Sequence, residues 1–136
     1  MAETPLVKKL LIKPGNKVLI LNAPVDYLLM LQPLPDGAQI ETTAAGTFDV
    51  VQLFVHNKSE LDDQAASAVK AVKPGGVLWF AFPKKSSKVQ TDLSRDGGWD
   101  TVRNAGLDTV TAISIDGKWS ALRFRPLTEL NSRKKS

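Results

Sequence analysis

The sequence predicts a three-layer α/β domain whose mostly parallel sheet of about six strands ends in an antiparallel hairpin. Three observations support this class. Short apolar runs alternate along the chain with segments of helical periodicity, as in a sheet covered by helices on both faces. The run at 48–55, FDVVQLFV, is almost continuously apolar, which is typical of a strand buried on both sides. Asp116-Gly117, a preferred hairpin turn, separates strand-like segments at 107–115 and 118–125.

The remaining elements follow from apolar periodicity and from the residues that end each element. In chain order they are a lead-in helix or extended arm at 5–12, a strand at 17–22, a helix at 24–32, strands at 38–42 and 48–55, a helix at 59–72, a strand at 77–82, a helix at 95–105 and the hairpin. Pro24 suits the first position of its helix because its φ is already helical. Ser59 and Asp62 resemble a capping box with Asp in place of Glu. The connection at 43–47 is short for a parallel crossover, so the strand at 38–42 is either a brief edge strand, which we favour, or antiparallel to the next strand.

The composition indicates a single domain over residues 1–136, with 127–136 as a flexible basic tail. The chain is 43% hydrophobic, which is enough for a core of its own. It has no cysteine and one histidine, which excludes disulfides and thiol catalysis and leads us to predict no metal site. Its longest apolar runs are far shorter than a membrane span. We therefore expect a cytoplasmic protein without a membrane partner.

Positive charge is distributed unevenly along this chain of net charge +4. Residues 18–69 contain seven acidic residues and one basic residue, whereas basic residues cluster at 8–17, 84–88 and 133–135. Basic clusters attract phosphate-bearing partners, although a solvated surface is the simpler interpretation, above all for the C-terminal cluster.

Two resemblances extend the fold prediction. The segment 48–84, FDVVQLFVHNKSELDDQAASAVKAVKPGGVLWFAFPK, resembles the second half of a class I S-adenosylmethionine methyltransferase core, in which an FDVV strand, a helix, LKPGG and an apolar strand follow one another. The hairpin matches the antiparallel strand of that Rossmann-like fold, and residues 17–42 would be its shortened first half.

Most of the chain is also similar to a family of small bacterial proteins of unknown function, through VLILNAP, FDVVQLFV, PKKSSKVQTDLSRDGGW and IDGKWSALRFRP. That similarity implies a fold and a bacterial source, but no activity.

The chain departs from the methyltransferase pattern after its first strand. The family has an acidic residue and a G-x-G turn there, whereas this chain has LILNAPVDY and no glycine between Gly15 and Gly37. Glu41, at the end of the second strand, matches the acidic position that would hold ribose hydroxyls. Because Glu41 stands without the glycine turn, and because the third strand of the family is missing, the sequence predicts no cofactor and argues against S-adenosylmethionine.

A binding site is expected where the parallel strands end, since ligands of open α/β sheets bind beyond the carboxyl ends of the strands. The residues predicted for this site are Asn22, His56, Asn57, Lys58, Lys84, Lys85 and Arg95. Together with the N-termini of two helices they favour an anion, a phosphate or a carboxylate. The alternative is a set of ordinary polar loop residues around an empty crevice. No residue is predicted to be catalytic, because His56 has no carboxylate beside it at a motif spacing.

The expected function is a non-catalytic binding or regulatory domain that acts through a protein partner or as a homo-oligomer. One alternative is a small-molecule enzyme or ligand sensor, related to S-adenosylmethionine or to nucleotides, that uses the basic crevice. A second alternative is a nucleic-acid binder, which rests on the basic clusters.

Overall fold

The computed structural model describes residues 6–24, 27–32, 34–43, 46–84, 93, 98–115 and 118–126. The helices in these ranges are α1 (Leu6–Lys9), α2 (Tyr27–Met30), α3 (Lys58–Ala71) and α4 (Asp100–Asn104). The strands are β1 (Lys17–Leu21), β2 (Gln39–Glu41), β3 (Phe48–Phe54), β4 (Val72–Pro83), β5 (Leu107–Ser114) and β6 (Trp119–Pro126). None of the described helices is long and apolar enough to cross a membrane.

One mixed sheet contains all six of these strands, in the order β2-β1-β3-β4-β6-β5. Neighbours from β2 to β4 are parallel, whereas β6 runs antiparallel to β4 and to β5. The predicted α/β class with a C-terminal antiparallel hairpin is therefore confirmed. The strand predicted at 38–42 is a three-residue edge strand parallel to β1, as we favoured. The hairpin turn at Asp116-Gly117 and the predicted tail at 127–136 lie outside the described residues.

Both faces of the sheet are covered, which explains the continuous apolar run of β3. Val51 and Leu53 point to one face, where they belong to a cluster with residues of α3 and α4. Val50 and Phe54 point to the other face, where they belong to a cluster with residues of α1 and α2. All four side chains are at most 1% exposed. Since alternate residues of a strand point to opposite faces, this strand has no solvent-facing side and needs no polar alternation.

The helix predicted at 59–72 begins earlier than expected, because Ser59 is not its N-cap. Asn57 is the cap, and its side-chain oxygen accepts a hydrogen bond of 2.9 Å from the backbone N–H of Glu60. The helix ends at Ala71, and the following strand already begins at Val72 rather than at 77. A register shift between Phe48 and Val50 in the pairing of β3 with β4 accommodates the Pro-Gly-Gly segment inside the long strand.

The lead-in segment forms a short helix, and Leu11 ends it in an unusual way. The backbone N–H groups of Leu11 and Ile12 donate to the carbonyls of Lys8 and Val7, the pattern of a Schellman motif. Leu11 occupies the left-handed position of this motif, with φ 67°, where glycine is the usual residue. The turn directs the chain from α1 into β1 along the amino-terminal edge of the sheet.

Candidate functional site

The turn after β1 adopts a left-handed backbone without a glycine. Asn22 has φ 61°, a conformation that asparagine tolerates better than other non-glycine residues. Its side-chain amide donates to Oε1 of Gln64 on α3 over 2.6 Å, and to the carbonyl of Phe54 at 3.5 Å. The missing glycine contributed to the prediction of no cofactor, but this backbone conformation does not need glycine. Asn22 supplies that conformation, and its side chain ties the turn to α3.

A cleft of about 480 Å³ opens beside this turn, at the carboxyl ends of β1 and β2. It is lined by Ile20, Asn22, Ala23, Pro24, Leu28, Leu29 and Thr42, and is called the β1–β2 cleft below. Its wall on α2 is apolar and open to solvent, since Leu29 is 70% exposed. Glu41 lies opposite Leu19 in the β1–β2 register and immediately precedes the lining residue Thr42. A mostly apolar cleft with a few polar groups at its edge is the usual form of a small-molecule site.

A buried polar pair that the sequence analysis missed holds the wall of this cleft in place. The hydroxyl of Tyr27, on α2, donates to Oε1 of Gln52 on β3 over 2.7 Å. Both residues are almost fully buried, and Leu28 and Leu29 follow Tyr27 directly in the chain. Gln52 is the one polar residue within the apolar run VVQLFV, which is the signal that could have found this pair.

His56 has a carboxylate partner, contrary to the expectation from motif spacing. Its backbone N–H donates to Oε1 of Glu60 over 2.8 Å, and its ring Nδ1 lies 3.1 Å from the same oxygen. The ring also packs edge-on against Trp119, with the ring centroids 5.4 Å apart. The partner was missed because the cap at Asn57 turns the chain, so that Glu60, in the first turn of α3, faces back toward His56.

This arrangement predicts a pH dependence of stability. The backbone hydrogen bond from His56, followed by the contacts of its ring, holds the pKa of Glu60 below the ordinary value of 4.5. A carboxyl group with a lowered folded-state pKa stabilises the folded state above pH 4.5, and that contribution disappears as the pH falls further. We expect Glu60→Gln to be less stable than the wild type at pH 6. The difference should shrink as the pH falls below 4.5 and through the lowered pKa of Glu60, because the protonated carboxyl group is neutral like the amide. Urea unfolding over a series of pH values from 6 downward measures it, and a difference that stays constant would contradict the assignment.

The predicted anion-binding lysines that are described each have a nearby partner. Nζ of Lys58 donates to Asp62 over 2.8 Å, and the hydroxyl of Thr101 donates to the other oxygen of the same carboxylate over 2.5 Å. These bonds, first the one from Lys58, lower the pKa of Asp62. Nζ of Lys84 donates to the hydroxyl of Ser114 over 2.6 Å.

The predicted site residues follow three different strands. Asn22 follows β1, the three residues from His56 to Lys58 follow β3, and Lys84 follows β4. Lys85 and Arg95 lie outside the described residues. An anion site at this edge stays a prediction. Among the described residues, no group of three histidine or acidic side chains could hold a metal ion.

Comparison with solved structures supports the architecture. No protein-family model and no curated protein sequence matches the chain. Among solved structures, it is similar to DhpI in complex with SAH, at 15% identity and TM-score 0.56, over 90% of this chain and 82% of that one. It is similar to a SAM-dependent methyltransferase from Aquifex aeolicus, at 12% identity and TM-score 0.56, over 88% and 86% of the two chains. A putative methyltransferase from Thermoplasma acidophilum matches at 9% identity and TM-score 0.54, over 92% and 75%.

The chain has a truncated methyltransferase-like core. At these identities the likeness shows the fold, and the resemblance to a small bacterial family of unknown function stays a prediction. The expectation of no cofactor, with S-adenosylmethionine argued against, is wrong. The neighbours of this methyltransferase-like fold are methyltransferases, one of them SAM-dependent and another in complex with SAH. The physical reason is that the turn depends on a backbone dihedral, which Asn22 adopts, rather than on glycine itself.

Proposed function

We propose that this protein is a binding domain that holds S-adenosylmethionine, or a related adenosyl ligand, in the β1–β2 cleft. The observation that carries the proposal is the position of that cleft, which opens where β1 and β2 end and beside the left-handed turn at Asn22. Ligands of open α/β sheets bind beyond the carboxyl ends of the strands. The likeness to DhpI in complex with SAH and to a SAM-dependent methyltransferase supports this choice of ligand.

The lining of the cleft and Glu41, which precedes the lining residue Thr42, suit the two halves of an adenosyl group. Ala23, Leu28 and Leu29 offer apolar surface against which a flat purine can pack. The carboxylate of Glu41, at the end of β2, has the place and the chemistry to accept hydrogen bonds from ribose hydroxyls. Glu41 is exposed, so it can turn toward a ligand without losing a partner that the structure shows.

The proposed role is binding rather than methyl transfer. The described lining of the β1–β2 cleft contains no histidine, no carboxylate and no lysine. A side chain that could accept or deliver a proton near neutral pH is therefore missing from this lining, which supports a function in sensing or regulation.

Calorimetric titration of the purified protein with S-adenosylmethionine and with S-adenosylhomocysteine tests the proposal. We expect saturable binding of both ligands. Each should also raise the thermal stability of the protein, because a ligand selective for the folded state stabilises it. Glu41→Gln should weaken binding by about tenfold, the effect of losing a hydrogen bond to a charged group. Asp36→Asn is the matched control, because Asp36 is exposed and precedes β2, whereas Glu41 is at the other end of that strand.

Three outcomes would contradict the proposal. Absence of binding, or equal weakening by Glu41→Gln and Asp36→Asn, would remove the cleft as the adenosyl site. Conversion of S-adenosylmethionine to S-adenosylhomocysteine when cell extract is offered as a source of acceptors would contradict the non-catalytic role while leaving the cleft in place.

A further inference from the structure

A second cleft, of about 410 Å³, lies at the opposite edge of the sheet, where β1 and β3 begin. It is lined by Leu11, Lys13, Asn16, Asp49, Val50, Lys73, Gly75, Gly76, Val77 and Arg123, and is called the amino-edge cleft below. The lining comes from four parts of the fold: the turn after α1, the start of β3, the first half of β4, and β6. These segments are far apart in the sequence, so no local sequence pattern predicts that they form one cleft.

Charge in the amino-edge cleft is strongly positive. Its lining contains three basic side chains, Lys13, Lys73 and Arg123, and one carboxylate, Asp49, which gives a net charge of +2. Among the residues that the structure describes, the ammonium group of Lys13 contacts no carboxylate. Lys58, which was predicted for the carboxyl edge, differs in this respect because it is paired with Asp62.

Asp49 fixes the position of Lys73 in this cleft, and the net charge of the lining stays positive. Its carboxylate accepts the backbone N–H of Lys17 over 2.8 Å and Nζ of Lys73 over 3.2 Å. The backbone hydrogen bond, and then the contacts with Lys73, lower the pKa of Asp49, so the group is charged at neutral pH. One carboxylate oxygen thus positions the Lys73 ammonium group, which keeps further donors for a ligand because it carries three.

The two glycines of β4 have different surroundings: the backbone is open at Gly75 and closely packed at Gly76. Gly75 has φ 77°, and a Cβ added to it would meet no atom within 4 Å, so a side chain there would stand in open space. A Cβ on Gly76 would lie 2.9 Å from the carbonyl oxygens of Asp49 and Lys73, so no larger residue fits. A ligand can therefore approach the main chain at Gly75, beside the basic side chains of the cleft.

We propose that the amino-edge cleft binds a small molecule that carries a phosphate group. A net charge of +2 matches a phosphate monoester, which has a charge of about −1.5 to −2 at neutral pH, better than it matches a single carboxylate. Arginine and lysine are the side chains that bind phosphate most strongly. The cleft volume of about 410 Å³ is in the range of small-molecule sites, which favours a small ligand over a nucleic acid. This site is independent of the β1–β2 cleft, which lies at the other ends of the strands.

NMR titration of ¹⁵N-labelled protein with glycerol 3-phosphate tests this proposal, with inorganic phosphate as a second probe and glycerol at equal ionic strength as the blank. We expect saturable shifts of the Gly75 and Gly76 amide signals with both phosphates and none with glycerol. Lys73→Gln should raise the Kd about tenfold, which is the loss of one hydrogen bond to a charged group. Asp49→Asn should lower the Kd, because it removes the one negative charge and keeps an oxygen to accept the Lys17 N–H.

Lys70→Gln is the matched control, since Lys70 is exposed on α3 and does not line the cleft. Equal Kd values for Lys73→Gln and Lys70→Gln would overturn the proposal. So would shifts confined to Asn22, His56 and Lys84, which would place the anion at the carboxyl edge. Binding of single-stranded DNA with a steep dependence on salt, which glycerol 3-phosphate fails to compete, would also overturn it. Thermal melting of each variant verifies that it is folded.

Discussion

Replacing Trp99 by alanine is expected to cost about 3–5 kcal/mol of the free energy of unfolding, the usual range for removing a large buried aromatic side chain. Trp99 is fully buried, and its ring packs against three phenylalanine rings of the sheet. The centroid distances are 6.0 Å to Phe80, 5.4 Å to Phe82 and 5.4 Å to Phe124. These contacts fasten the start of α4 to β4 and β6, so their loss affects the whole face of the sheet.

Chemical denaturation followed by circular dichroism measures this cost. Trp99→Phe keeps an aromatic ring in the cluster and should lose clearly less stability than Trp99→Ala. Leu29→Ala is the surface control, since Leu29 is 70% exposed, and should change stability by less than about 0.5 kcal/mol. If Trp99→Ala lost no more than Leu29→Ala, the aromatic cluster would not be the anchor of α4.

Asn22→Val is expected to cost about 2–3 kcal/mol, because two effects add. A β-branched residue in the left-handed conformation that Asn22 adopts is strained by about 1–2 kcal/mol. The hydrogen bond of 2.6 Å to Gln64 is also lost, and such a bond contributes about 1 kcal/mol. The same substitution should abolish binding of S-adenosylmethionine in the β1–β2 cleft, since Asn22 forms part of its lining.

Asn22→Gly separates these two effects. Glycine adopts the left-handed conformation without strain, so this variant loses only the side-chain hydrogen bonds. We expect it to be more stable than Asn22→Val and to retain ligand binding. Urea unfolding and calorimetric titration of both variants measure the two quantities. Equal stability of the two variants would show that the backbone conformation of Asn22 is not what the turn requires.

Local patterns in the sequence were sufficient to predict most of the fold. The apolar run of β3, the periodicity of α3 and the hairpin-like end of the chain each depend on residues that are close in sequence. The favoured interpretation of 38–42 as a brief edge strand is also correct, whereas its parallel direction is shown only by the structure. Boundaries were less well predicted: Asn57 rather than Ser59 caps α3, and β4 begins at Val72. A cap is decided by which side chain reaches the free N–H groups, and neighbouring polar residues compete for that role.

Much less of the candidate sites could be predicted from the sequence. The absence of glycine after β1 led to the prediction of no cofactor, although Asn22 supplies a left-handed turn there, with φ 61°. His56 was considered without a carboxylate, although Glu60 lies one helical turn further along. The amino-edge cleft combines Lys13, Lys73 and Arg123, which only the strand order brings together.

The sequence by itself determined that this chain forms a covered α/β sheet, since hydrophobic periodicity and turn residues act over a few positions and leave few ways to bury the apolar faces. The tertiary structure alone decided where ligands can bind. Pairing β1 between β2 and β3 opens the β1–β2 cleft at one edge, and pairing β4 with β6 brings Arg123 toward Lys73 at the other. Clefts and charge clusters depend on long-range pairing, and their residues carry no common pattern along the chain.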